Sequence, residues 1–82
     1  MASIAVTLLY FAQMAQQRGL GEEQIQTTAA TPSELFDQLN EKYHFAEHKD
    51  NLRVAINDQY AHWEKPLSAD DTIVFIAPVA GG

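Results

Sequence analysis

Apolar residues alternate through the opening of the chain, with Ile4, Val6, Leu8 and Tyr10 on one parity and Ala5, Thr7, Leu9 and Phe11 on the other. A period of two in β-branched and aromatic residues predicts a strand. Being apolar on both faces, it suits the interior of a sheet. The next stretch, "AQMAQQRG", is made of helix formers and stops at Gly19, a residue that suits a helix C-terminus. It predicts a short helix of two turns or fewer, with Met14, Ala12 and Ala15 as its apolar face. Residues 23–30, "EQIQTTAA", alternate weakly, as expected of an edge strand half exposed to water.

The clearest local signal is "TPSE". Thr31 is placed as N-cap, Pro32 at the first helical position and Glu34 where a capping box needs its carboxylate. Leu35, Phe36, Leu39 and Tyr43 follow at helical spacing, with Asp37, Gln38, Glu41 and Lys42 on the other side. This is the main helix, with one face for a sheet. After the irregular polar stretch "HFAEHKDN", Leu52, Val54 and Ile56 alternate again and Asn57-Asp58 turns the chain. "QYAHW" makes a short return strand and residues 66–71 a loop. Residues 72–77 make a last strand in which Ile73 and Phe75 oppose Val74 and Ile76. Pro78 ends the pairing, because it brings no N–H to the ladder. There is no internal repeat and no low-complexity tract.

Strand, strand, helix, strand, strand, strand predicts an α+β domain in which one helix covers one face of a mixed sheet of four to five strands. This is the pattern of a β-grasp (ubiquitin-like) domain, with one main helix and a short helix. The first and last strands then lie side by side at the centre, which accounts for their being the most apolar. One domain is expected over residues 1–77, followed by a flexible tail over residues 78–82. If Ile4, Val6, Leu8, Ile73 and Phe75 face the helix, Leu9, Phe11, Val74 and Ile76 lie on the open face, where Tyr60 can join them. A contiguous apolar group of this kind marks a contact surface, unless loops or the short helix cover it.

Composition narrows the function classes. An 82-residue chain has room for one small domain. Absence of cysteine removes disulfides, thiolate zinc sites, iron–sulfur clusters and cysteine nucleophiles together. Eleven Asp plus Glu against five Lys plus Arg give a net charge of −6, the wrong sign for a phosphate backbone, so no nucleic acid is expected as partner. The acidic surface is most simply a solvated one; its functional version is steering toward basic protein faces. No Lys or Arg precedes the apolar opening run, which is also too short to span a bilayer. Hence no membrane is expected, and the default compartment is the cytoplasm.

No independent active site is legible. His44 and His48, near Glu47 and Asp50 and with His62 as a third, are the candidate metal ligands, but their polar context favours solvated histidines, and no metal is expected. "GLGE" at residues 19–22 lacks the strand, spacing and lysine of a phosphate loop. Trp63 is expected to pack at the sheet edge. No catalytic side chain is assigned.

The tail remains. Past Pro78, "VAGG" has only small side chains and can reach roughly 13 Å when extended, thin enough for a narrow channel. The bland alternative is a frayed end. The segments "LLYFAQMAQ", "VAIND" and "KPLSADDTIVFIAPVAGG" resemble the small subunit of molybdopterin synthase, the sulfur carrier of molybdenum cofactor biosynthesis, over nearly the whole chain. The resemblance implies that the Gly82 carboxylate, with Gly81 beside it, is adenylated by a ubiquitin-activating-like adenylyltransferase using ATP, with no cofactor bound to the chain itself. It also implies conversion to a thiocarboxylate, and insertion of the tail into the large subunit to deliver sulfur to cyclic pyranopterin monophosphate. Phe11, Tyr60 and Ile76 match positions that pack on partners in that family, and Pro78, Val79 and Ala80 belong to the inserted tail. The implied assembly is a heterotetramer with two large subunits, in which this chain has no complete active site of its own. The family usually has Gly-Asp in the loop before the last strand and often Pro-Pro after it, where this chain has Ala69-Asp70-Asp71 and Ala77-Pro78. A sulfur carrier of another pathway, such as the thiamine type, and a ubiquitin-like protein modifier are the alternatives.

Overall fold

The computed structural model of the chain describes residues 3–10, 18, 19, 21–45 and 48–77. Strands β1 (Ile4–Leu9), β2 (Glu22–Thr27), β3 (Arg53–Ile56), β4 (Gln59–Ala61) and β5 (Thr72–Ile76) form one mixed sheet in the order β2-β1-β5-β3-β4. The first and last strands are parallel neighbours inside it, with Leu8 opposite Ile73 and Leu9 opposite Val74, and the other pairings are antiparallel. Helix α1 (Pro32–Tyr43) covers one face. Its Leu35, Phe36 and Leu39 join Val6, Leu8, Val54, Ile56, Ile73 and Phe75 in a single core. This is the α+β, β-grasp architecture that the apolar pattern predicts. The short helix expected between β1 and β2, with its Met14, Ala12 and Ala15 face, lies outside the described residues. Gly19, expected to end it, has φ 75, the left-handed region that glycine enters without steric cost.

Local chemistry sets the element ends. Thr31 accepts the Glu34 N–H (3.3 Å), while the Glu34 carboxylate accepts the Ala30 N–H (3.2 Å). The capping box is therefore shifted: its return bond takes the N–H one residue before the cap instead of the cap's own. β2 stops at Thr27, short of the expected Ala30. The Thr27 hydroxyl accepts the Ala29 N–H (3.0 Å) and donates to Gln38 of α1 (2.8 Å), which turns the chain out of the ladder. At the other end of α1, His44 takes φ 53 and its N–H returns to the Asn40 carbonyl (2.8 Å). The Asn40 side chain accepts the Phe45 N–H (2.8 Å).

That cap sends Phe45 into the core, against the rings of Tyr10, Phe36 and Tyr43. The sequence places Phe45 in an irregular polar stretch, where a lone aromatic has no periodic company; the structure buries it and forms a turn of 3-10 helix over Lys49–Asn51 nearby. Trp63 follows edge strand β4 and reaches inward, stacked on Phe75 (5.7 Å between centroids) and edge-on to Phe36 (5.9 Å). Its carbonyl accepts the Ser33 N–H (3.0 Å). The connection from β4 to β5 is thereby tied to the start of α1.

Asn57 and Asp58 both have positive φ (52 and 72), as a two-residue hairpin turn between twisted strands requires. Asp70 also has positive φ (70). This is the conformation that a glycine would supply freely, and Asp tolerates it better than most residues.

Two substitutions test this reading. Phe75→Ala removes the ring that Trp63 and Phe36 pack on and should cost about 3–5 kcal/mol in urea unfolding. Asp70→Ala should cost about 1 kcal/mol, because alanine bears the left-handed conformation without a polar side chain, whereas Asp70→Gly should stay within about 0.5 kcal/mol of the parent. Equal effects of the alanine and glycine variants would remove backbone conformation as the cause.

Candidate functional site: the open face of the sheet

Strand alternation that sends Leu8, Ile73 and Phe75 toward α1 sends their neighbours to the uncovered face. The register there assembles one row: Leu9 lies opposite Val74, Val74 opposite Ala55, and Ala55 opposite Tyr60. The row crosses four strands without a charged side chain. Tyr60 is 76% exposed, an unusual degree for a large hydrophobic residue. Val74 and Ala55 are buried although they are not part of the helix-side core, because the open face has its own packing.

Ile76 adds a flank to the row. It lies opposite Arg53 in the β3 register. Leu9, Ala55, Asp58, Tyr60, Val74 and Ile76 line one shallow depression of about 290 Å³. A second, lined by Arg53, Val54, Tyr60, Ala61 and Ile76, adjoins it. Tyr60 and Ile76 belong to both, so they stand between the two hollows. β1 and β5 run parallel, and Leu9 and Ile76 are their last residues. The apolar surface therefore sits at the end of the sheet where β5 hands the chain to residues 77–82. At the other end the paired Thr7 and Thr72 are polar.

The predicted site residues divide accordingly. Tyr60 and Ile76 are brought together on this surface with Leu9 and Val74. Phe11, Pro78, Val79, Ala80, Gly81 and Gly82 lie outside the described residues. Ala55, Arg53 and Asp58 were not singled out by the sequence. Ala55 was legible in principle, since its parity is opposite to Val54 and Ile56, but a small side chain carries a weak signal.

Behind the end of β1, on the helix side, lies a polar cluster that the sequence did not suggest. The buried Tyr10 hydroxyl donates to Glu23 (2.6 Å). Arg18 grips the same carboxylate through Nη2 (2.8 Å) and lies 3.8 Å above the Tyr43 ring. Antiparallel pairing of β1 and β2 brings these residues together. Burial pushes the Tyr10 phenol well above its ordinary pKa, and the Glu23 carboxylate adds to the rise. Burial also pushes Glu23 upward, but the bonds from Tyr10 and Arg18 outweigh it and leave that carboxyl lowered. The cluster pins the chain where it leaves and re-enters the central sheet.

Among the described residues, no group of three or more His, Cys, Asp or Glu is placed to hold a metal ion. His44, His48 and His62 are exposed, and Glu47 lies outside the described residues. No helix among the described residues is long and apolar enough to cross a membrane.

A five-stranded mixed sheet with one helix on one face and an apolar row on the other defines a β-grasp domain of the ubiquitin-like kind. The profile of the ThiS family matches residues 8–82, and the chain belongs to that family. It is a ThiS-like sulfur carrier. Among curated proteins none matches significantly. Among solved structures, a protein assigned as molybdopterin converting factor subunit 1 from Pyrococcus furiosus is 25% identical with a TM-score of 0.79, covering 94% of this chain and 100% of that one. Subunits 1 and 2 of the molybdopterin-converting factor from Helicobacter pylori were solved as a protein–protein complex. The match there is 28% identical with a TM-score of 0.65, over 96% of this chain and 100% of that one. Small archaeal modifier protein 1 of Haloferax volcanii, at 20% identity, a TM-score of 0.77 and coverage of 93% and 99%, shares the fold.

The Glu23 cluster predicts an acid limit to stability. Because its folded pKa lies below the unfolded value, the stabilisation is present above about pH 4.3 and is lost as pH falls through the folded pKa. Urea midpoints should decline on acidification below that point. Glu23→Gln should be less stable at neutral pH and decline less steeply in acid; parallel pH profiles would rule out Glu23 as the group responsible.

Proposed function

We propose that the chain is the sulfur-carrying small subunit of molybdopterin synthase, acting in molybdenum cofactor biosynthesis. One observation carries the reading: the apolar row from Leu9 to Tyr60 ends beside Ile76, the last residue of β5, so a partner docked there also receives the tail. Membership of the ThiS family supports it, as does similarity to two proteins described as molybdopterin converting factor subunit 1, one of them solved with subunit 2.

In this reading Phe11, Tyr60 and Ile76 pack on the large subunit, while Pro78, Val79 and Ala80 thread toward its active site. The five residues past Ala77 reach at most about 18 Å. Gly81 and Gly82 carry no side chain that would hinder entry to a narrow channel. The reactive group is the Gly82 α-carboxylate. A carboxylate is a poor electrophile, so a ubiquitin-activating-like adenylyltransferase joins it to AMP from ATP, releasing pyrophosphate. A sulfur donor then displaces AMP and leaves a thiocarboxylate, whose sulfur is the nucleophile toward cyclic pyranopterin monophosphate. ATP belongs to the activating enzyme. The working assembly is a cytoplasmic heterotetramer with two large subunits, and this chain, a domain over residues 1–77 with a tail over 78–82, supplies the sulfur without a complete active site.

Intact mass after incubation with the activating enzyme, ATP and a sulfur source tests the reading. The chain should gain the mass difference of sulfur for oxygen. Deletion of Gly82 should abolish that gain and cofactor synthesis, with the melting temperature unchanged. Thiocarboxylate formation without sulfur transfer by the large subunit would reassign the carrier to another pathway, such as the thiamine type. Covalent attachment to other proteins would make it a ubiquitin-like modifier.

A further inference from the structure

Arg53 opens β3 on the uncovered face, opposite Ile76. It is exposed, and it lines a hollow together with Tyr60 and Ile76. Three of the remaining cations are engaged elsewhere: Arg18 holds Glu23, Lys49 holds Asp37 (2.8 Å) and Ser33 (2.7 Å), and Lys42 lies over the Tyr43 ring. Among the described residues the Arg53 guanidinium has neither a carboxylate at ion-pair distance nor a hydrogen-bond partner. Among the described residues Lys65, the fifth cation, also lacks an ion pair, but it lines neither hollow, so Arg53 is the unpaired cation at this surface. The two acidic side chains at this surface lie away from it. Asp58 is in the turn beyond the far end of β3, roughly 13 Å of strand away. Glu22 is on β2, opposite Leu9.

A partner that covers Tyr60 and Ile76 also strips water from the neighbouring guanidinium. That is costly unless a counter-charge meets it, whereas a paired charge next to an apolar contact sets register and excludes wrong partners. We infer that Arg53 is a specificity-determining contact. The surface that docks on the Leu9–Tyr60 row carries an Asp or Glu side chain facing Arg53, beside the opening that takes in the tail. The planar guanidinium suits a carboxylate held by two parallel hydrogen bonds, a geometry that lysine cannot reproduce. The acids at the opposite margins, Asp58 and Glu22, give the surface a fixed polarity, so a complementary face fits in one orientation. The inference rests on the proposed role as small subunit, with the large subunit as the docked partner.

Calorimetric titration of the full chain with the large subunit from the same organism, at low and high salt, tests it. Arg53→Glu should weaken binding at least about tenfold at low salt, with the deficit shrinking as salt rises. Arg53→Lys should fall between it and the parent. Changing the Asp and Glu residues of the large subunit one at a time to Lys should yield one variant that restores binding to Arg53→Glu, a rescue that a merely structural role would not produce. If Tyr60→Ala weakens binding while Arg53→Glu binds as the parent does, or if no reversal restores it, the Arg53 contact is overturned and the small-subunit reading stands. If the parent chain does not bind the large subunit, that reading fails and the contact falls with it.

Discussion

The parallel pairing of β1 with β5 is the constraint on which the rest of the molecule depends. These strands come from opposite ends of the chain and meet inside the sheet, so each is buried on one face by α1 and neighboured on the other by apolar side chains. Leu8 and Ile73, facing each other across that pair, are fully buried beneath the helix. One residue along, Leu9 and Val74 make the corresponding contact on the uncovered face. A shift of one residue in either strand would exchange the two sets, placing core residues in solvent and removing the row that ends at Tyr60. Core and candidate interface are thus two consequences of one register.

The same pairing sets where the chain leaves the sheet. Parallel strands finish at the same end of a sheet, so β5 ends at Ile76, two residues beyond the Val74 that faces Leu9 at the end of β1, within the apolar surface. In the proposed complex, a partner that recognises this one end of the domain meets both the apolar row and the point where the chain leaves β5. Polar bonds hold that geometry from behind. Arg18, Glu23 and Tyr10 secure the start of β2 against the end of β1, and the Trp63 carbonyl secures the connection before β5 against the start of α1. These groups are buried or half-buried and have partners, so they specify the arrangement without leaving unsatisfied polar atoms.

Much of this was legible beforehand because it is written in periodicity. Two-residue alternation located β1, β3 and β5, and the Thr31-Pro32 start with Leu35, Phe36 and Leu39 located α1. Parity alone assigned Leu9, Val74 and Ile76 to the open face. Features that depend on contacts between distant residues were not legible. Phe45 has no periodic neighbours, and only the Asn40 cap turns it inward. Tyr10, Arg18 and Glu23 have no motif spacing and become a cluster only when two strands pair. Arg53 is an ordinary polar position of an alternating strand until the register sets it beside Ile76.

By itself the sequence determined the element order, the faces of the strands and helix, and the small-residue tail, because each follows from local side-chain period, capping and steric bulk. The tertiary structure decided which strands are neighbours, and hence that Leu9, Val74, Ala55 and Tyr60 form one surface with Arg53 at its margin. Neighbourhood across a sheet is set by non-local pairing and burial, and no stretch of sequence contains that information on its own.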